Sequence, residues 1–241
     1  MDNSIYLAMH GAQHALKAQK VHTNNLANIN VPGFKADVLF AQASEQADHK
    51  LYPITQATRI SAKAGAMEQT NDVRDLSLTD PKQWFVLKTA TGEVLTRNVR
   101  WQVSSQGELT DRTGRNLLSA SGESITVNNF KKLEISDDGR VSLIPADNGN
   151  EFVEVAKLQV VSVNGGITKR FDGTFIADAN ADVRIESNPA VLVGYQEGSN
   201  VSSMATMTEM MDLNRYFENQ MAVMKDIKEA ASLATKLLDL G

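Results

Sequence analysis

Apolar residues near the end of the chain follow a seven-residue rule. Met210, Phe217, Met224, Ala231 and Leu238 recur at that interval, and Leu213, Gln220, Ile227 and Ala234 repeat it three positions later. This is the a/d seam of a coiled-coil helix, with Gln220 its one polar member. It predicts a helix over about 204–239, with Thr206 and Glu209 as a capping box. At 1.5 Å per residue that helix runs roughly 50 Å, so much of its apolar edge needs a partner. At the other end, Ile5, Met9, Ala12 and Leu16 follow helical spacing, with Ala8 and Ala15 beside them and Leu26 further on. They predict an amphipathic helix over about 4–27 with a small-residue face.

Between the helices the period drops to two. Runs such as "WFVLKT", "KLEIS", "RVSLI" and "FVEVAKLQVVSV" alternate with "ATGE", "SQGE", "DDGR", "DNGN" and "FDGT". Short apolar runs broken by Asp-Gly and Asn-Gly predict an antiparallel β domain. Residues 35–70 are rich in alanine and glutamine without a clear period and are expected to be an extended or mobile connection. The predicted class is α+β. Residues 1–34 and 200–241 form a discontinuous helical domain whose helices pair as a coiled coil, and 71–199 form the inserted β domain. Met210, Leu213, Phe217, Met224, Ile227 and Leu238, with Ile5, Met9, Ala12 and Leu16, are the expected core of the helix pair.

The stretch "NNLANINVPGFKAD" stands where the first helix must stop. Asn24, Asn25, Asn28 and Asn30 tolerate the left-handed backbone of a helix end. Val31 precedes a proline and is pushed out of the helical region. Pro32 and Gly33 suit the second and third positions of a type II turn, and Phe34 can anchor it. A helix stop explains one or two of the asparagines but not all four.

A net charge of −5 argues against a nucleic-acid binder with a broad basic face. No apolar run is long enough to span a membrane. Asp2 and the polar residues His10, Gln13 and His14 do not fit a cleaved secretory signal, so export by that route is not expected. With no cysteine there is no disulfide.

The asparagine-rich stretch resembles the N-terminal signature of the flagellar basal-body rod and hook proteins, Asn-Leu-Ala-Asn followed by Thr-Pro-Gly-Phe/Tyr-Lys. Asn25, Leu26, Ala27, Asn28, Pro32, Gly33, Phe34 and Lys35 match, and Val31 replaces the threonine. The far end is similar to the family's C-terminal signature through Gly194, Glu197, Gly198, Ser199, Asn200 and Val201, then Met207, Met210, Arg215, Tyr216 and Glu218. In the middle, "VLTRNVRWQV" stands against the family's Tyr-Thr-Arg pattern, with Leu95 for the tyrosine and Asn98–Val99 for the residues after the arginine.

The resemblance implies a non-enzymatic building block of the flagellar drive shaft, of the proximal-rod subtype, with a distal-rod or hook-related axial protein as the alternative. It implies export through the flagellar type III apparatus without a cleaved signal. It also implies a location in the basal body across the periplasm, an inner tube of helices, and no cofactor. The implied partners are other rod subunits, further copies of the chain and the export apparatus. Asn24, Asn25, Leu26, Asn28, Pro32, Gly33, Phe34, Lys35, Glu197, Gly198, Ser199, Asn200 and Arg215 then become expected intersubunit contacts. Met207, Met211 and Met221 join them because they lie off the a/d seam and methionine adapts to varied neighbours.

Two readings belong to another class. His10 and His14, at i and i+4, could hold a metal in a secreted enzyme, but Gly11 stands where a zinc protease keeps its glutamate, and only distant His22 or His49 could add a ligand. "DANAD" begins like a calcium loop, but Val183 and Pro189 stand where a glycine and a glutamate belong. A turn, and no metal, is expected there. The third reading is a β-rich adhesin.

Overall fold

A computed structural model describes residues 2–45, 51–146 and 151–238. The turn "DNGN" and His49 lie outside the described residues. The fold is α+β: a helix at each end and antiparallel sheets between. The chain divides into two compact units. One holds residues 1–29, 36–59 and 201–241, and the other holds 30–35 and 60–200.

In the first unit, helix α1 (Asp2–Ala27) lies against α2 (Ser203–Leu238). They run antiparallel: His22 Nδ1 lies 3.3 Å from Glu209 Oε2, Gln19 Nε2 donates to Asn214 Oδ1 at 3.0 Å, and Gly11 faces Tyr216 and Gln220. A Cβ on Gly11 would sit 2.9 Å from the Tyr216 hydroxyl, so the helices approach closely there. The buried line of α1 is Ala8, Gly11, Ala12, Ala15 and Ala18. This corrects the expected stripe: Leu16 is 45% exposed, and Ile5 and Met9 are half-buried. Small residues take the inner line because a leucine there would hold the helices apart.

On α2, Met210, Leu213, Phe217, Gln220, Met224, Ile227 and Ala231 are half-buried, and the residues between them are exposed. The side chains of Ala234 and Leu238 fall outside the described set. The helix starts earlier than the Thr206–Glu209 box implies. Ser202 is the cap: its Oγ accepts from the Ala205 N–H at 3.4 Å and its carbonyl from the Thr206 N–H at 2.9 Å. That serine satisfies the free donors of the first turn, and Thr206 is buried. Residues 35–70, expected as a loose connection, include two paired strands, β1 (Asp37–Glu45) and β2 (Leu51–Ile60).

The second unit is built around β5 (Gln83–Thr89) and β6 (Gly92–Thr96), reached through β3 (Met67–Gln69) and β4 (Asp75–Leu78) and followed by β7 (Asn98–Arg100). β5 and β6 form the centre of a nine-stranded sheet. Alternate residues of a strand point to opposite faces. Phe85, Leu87 and Val94 therefore enter one core with Leu76, Leu109 and Val160, while Trp84, Val86 and Leu95 enter a second with Val161 and Phe175. Each such buried side chain contributes about 1.5–3 kcal/mol. Phe130–Ile135, Arg140–Pro145 and Val153–Lys157 add a three-stranded sheet, β4 lies between Val191–Val193 and β7, and β3 pairs with Tyr195–Glu197. The "DDGR" and "FDGT" hairpins close with Gly139 and Gly173 at φ near +77 and +79, as their turns require.

Candidate functional site

The two terminal signatures each supply one residue, Lys35 and Glu197, of a buried ionic centre in the β unit. "VPGF" turns as its residues predict: the Phe34 N–H donates to the Val31 carbonyl at 3.2 Å, and Gly33 has a φ of +74. The turn aims Lys35 inward. From the other signature, Glu197 ends the strand beside β3, and its main chain holds the turn: the Gly33 N–H donates to the Glu197 carbonyl at 2.7 Å. Asn98 adds both of its amide groups, donating to the same carbonyl at 2.7 Å and accepting from the Glu197 N–H at 2.8 Å.

The side chains then meet. Lys35 Nζ donates to Glu197 Oε1 and Arg97 Nε donates to Oε2, each at 2.6 Å. Lys35 is 1% exposed, and Arg97 and Glu197 are 0% exposed, so water screens none of these charges. Main-chain groups add further partners. Lys35 Nζ donates to the Lys63 carbonyl at 2.9 Å, and the Gly65 N–H donates to Glu197 Oε1 at 2.7 Å. The Arg97 guanidinium donates to the carbonyls of Leu78, Asp80 and Gln83 and lies over the Trp84 ring. Pairing together with these hydrogen bonds is what makes buried charges tolerable.

Burial by itself raises the Glu197 carboxyl, but the Arg97 charge, the Lys35 hydrogen bond and the Gly65 N–H outweigh it and hold the group below the ordinary carboxylate range. Burial also pulls the Lys35 ammonium down, against the pull of Glu197. A carboxyl whose folded pKa is depressed stabilises the fold above its unfolded pKa, and that contribution is lost as pH falls through the folded value. The stability gap between the wild-type chain and Glu197→Gln is therefore expected to be widest near neutrality and to narrow below about pH 4, the unfolded carboxylate range. Thermal melts of both chains from pH 7 to 3 measure it; a gap that stays constant would show that the charge of Glu197 contributes nothing.

The structure corrects the placement of several expected contacts. Gly33, Phe34, Lys35 and Glu197 are buried inside the chain, so in this structure their side chains meet the chain itself. Phe34 lies under Lys169, whose Nζ is 3.8 Å from the ring centroid and donates to the Lys35 carbonyl at 2.6 Å. Gly198 packs on Gly65, and Asn200 Nδ2 donates to the Lys63 carbonyl at 2.8 Å. In the helical unit Asn25 is buried and its amide clamps Asp37, donating to the carbonyl at 2.8 Å and accepting from the N–H at 2.9 Å. Asn28 turns back on Asn24, and Leu26 is half-buried. Asn24, Pro32, Met207, Met211, Arg215 and Met221 are exposed, and Ser199 is half-buried.

Sequence reasoning missed Arg97, Asn98 and Gly65. The one signal for Arg97 was its place in the Thr-Arg of the middle pattern. His10 is exposed, His14 is half-buried, and no group of three metal-binding side chains occurs among the described residues. Also among the described residues, no helix is long and apolar enough to cross a membrane.

Comparison with known proteins accounts for both signatures. The family model described as flagella basal body rod protein matches residues 5–35, and that described as flagellar basal body rod FlgEFG protein C-terminal matches residues 192–237. The two ends are thus those of a flagellar rod-class protein. Flagellar basal-body rod proteins FlgF of Escherichia coli K12 and of Salmonella typhimurium LT2 are each 32% identical to this chain, in alignments that cover all of both partners. FlgF of Rhizobium meliloti 1021 is 26% identical over 99% of this chain and 98% of its own. The chain belongs to the family of flagellar basal-body rod proteins FlgF. It is a structural subunit of the bacterial basal-body rod, not an enzyme, and it assembles with other rod components.

Proposed function

We propose that the chain occupies the proximal part of the rod, with its terminal helices joined as a coiled-coil-like pair that carries the contacts between subunits. The observation behind this reading is the state of α2. In a single chain its seam is never more than half-buried, and Met204, Met207, Met211 and Met221 stand 81%, 48%, 60% and 47% exposed. α2 has 36 residues against 26 in α1, so about 15 Å of it has no counterpart in length. A helix this apolar on its outer side needs further partners, and adaptable methionines suit neighbours that are not identical.

Asn24, Pro32, Met207, Met211, Arg215 and Met221 are the contact residues of this reading, and adjacent rod subunits and further copies of the chain are the partners. Export by the flagellar type III apparatus, with no cleaved signal, belongs to the same reading, as does a position crossing the periplasm. Deleting the gene and restoring the full chain, with electron microscopy of basal bodies, tests the rod role: rods should vanish and return. Met211→Lys tests the surface. It should leave the isolated chain within about 0.5 kcal/mol of wild type, as surface changes do, yet sharply lower its recovery in basal bodies. Normal recovery would remove Met211 from the contact set.

A further inference from the structure

Phe171 is 99% exposed, the most exposed of the large apolar side chains among the described residues. It sits at the tip of the hairpin formed by Ile167–Lys169 and Phe175–Ala177. The tip is held firmly. The Arg170 N–H donates to the Thr174 carbonyl at 2.8 Å, the Gly173 N–H donates to the Arg170 carbonyl at 3.2 Å, and Asp172 Oδ1 accepts from the Thr174 hydroxyl at 2.6 Å and from its N–H at 3.1 Å. An ordered turn that displays a phenylalanine wholly to water gains nothing for folding from that ring. Aromatic side chains on rigid supports are the common anchors of protein interfaces.

The same unit carries a groove of the right size elsewhere on its surface. Its volume is about 340 Å³. Val73, Trp101, Leu133 and Val193 supply apolar wall, and Lys132 stands on the rim with Glu134 and Asp137. Val73 is 66% exposed at its mouth. Charges at the knob and the hole are complementary. Phe171 is flanked by Arg170 and Asp172; in the groove Lys132 pairs with Glu134 at 3.2 Å, which leaves the Asp137 carboxylate as the net charge and the counterpart of Arg170. Within its own chain Arg170 donates to Thr91 Oγ1 at 3.4 and 3.5 Å, and its Nε lies 3.8 Å from Asp172 Oδ1.

Resting on the rod reading, we propose that Phe171 of one copy seats in the Val73–Trp101–Leu133–Val193 groove of a second copy. Knob and groove are different patches of one chain, so the contact is heterologous. It repeats from copy to copy without closing on a pair, which is what a subunit of an axial structure requires. A single ring buries about 150–250 Å², far below the roughly 1,200 Å² of a stable interface. The contact therefore sets register within the rod and does not by itself dimerise the free protein.

The test places the photo-crosslinking analogue p-benzoylphenylalanine at position 171 of the full chain and illuminates isolated basal bodies. The expected product has the mass of two chains, with position 171 joined to a peptide containing Val73, Trp101, Leu133 or Val193. A chain that is present in the basal bodies but forms no such product, or links to a different protein, overturns the knob-and-groove contact and leaves the rod reading intact. A chain absent from wild-type basal bodies overturns both. As a second arm, Phe171→Asp should lower recovery in basal bodies several-fold with an unchanged melting temperature; full recovery would also overturn the proposal.

Discussion

Glu197→Ala is expected to destabilise the β unit by about 3–5 kcal/mol, the usual effect of breaking a buried ion pair from one side. The loss does not measure the attraction of the pair. Removing the carboxylate leaves Lys35 and Arg97, two cations each at or below 1% exposure, facing one another without a counter-charge. It also strands the Gly65 N–H, which donates to Glu197 Oε1 at 2.7 Å. For a domain of this size the melting temperature should fall by roughly 10 °C, measured by circular dichroism. Lys35→Met should cost less, since Glu197 keeps both Arg97 and the Gly65 N–H. If Lys35→Met proves as damaging as Glu197→Ala, the like-charge argument fails. In cells, Glu197→Ala should remove the chain from basal bodies even though no exposed contact residue has changed.

Gly65→Ala is expected to cost about 1–3 kcal/mol, the range for overpacking a tight site. A Cβ at Gly65 would lie 2.1 Å from the Gly198 carbonyl oxygen, 2.9 Å from its carbon and 3.2 Å from the Ser199 carbon. All three atoms are main chain, so no side chain can swing away. The main chain at Gly198 must move, which strains the Gly198 N–H bond to the Ala66 carbonyl, now 2.7 Å, and the Gly65 bond to Glu197. The neighbouring Ala64 is exposed, and Ala64→Ser should be silent. Thermal melts of the two variants side by side give the comparison, and equal melting temperatures would mean that the close approach is not maintained in solution.

The signatures at the two ends were legible as motifs, but their roles were not. "VPGF" announced a turn because proline restricts its own φ and its predecessor, and glycine reaches positive φ; these are local facts. Lys35 and Glu197, by contrast, read as contact residues only through the resemblance of their signatures, and charged side chains are seldom wholly buried. Only the meeting of residues 162 positions apart turns them into internal partners. Arg97 was less visible still: nothing near it in sequence marks it as buried, since its acceptors are carbonyls of Leu78, Asp80 and Gln83. Asn25 followed the same course. A helix-end asparagine was legible, but a clamp on Asp37 was not.

Both helices and the antiparallel β domain were legible in local pattern, whereas the paired strands β1 and β2, which lack a clear period, were not. A seven-residue period, a small-residue face and alternating runs broken by glycine turns each express a local geometry that neighbouring residues dictate, and two signatures were enough to indicate the family. What each face meets followed from the closed fold. It put alanines and Gly11, not Leu16, on the inner line of α1, because helix separation depends on the opposing helix. It also joined Lys35 of the first signature to Glu197 of the second, because burial and pairing are properties of a closed fold that no stretch of sequence carries alone.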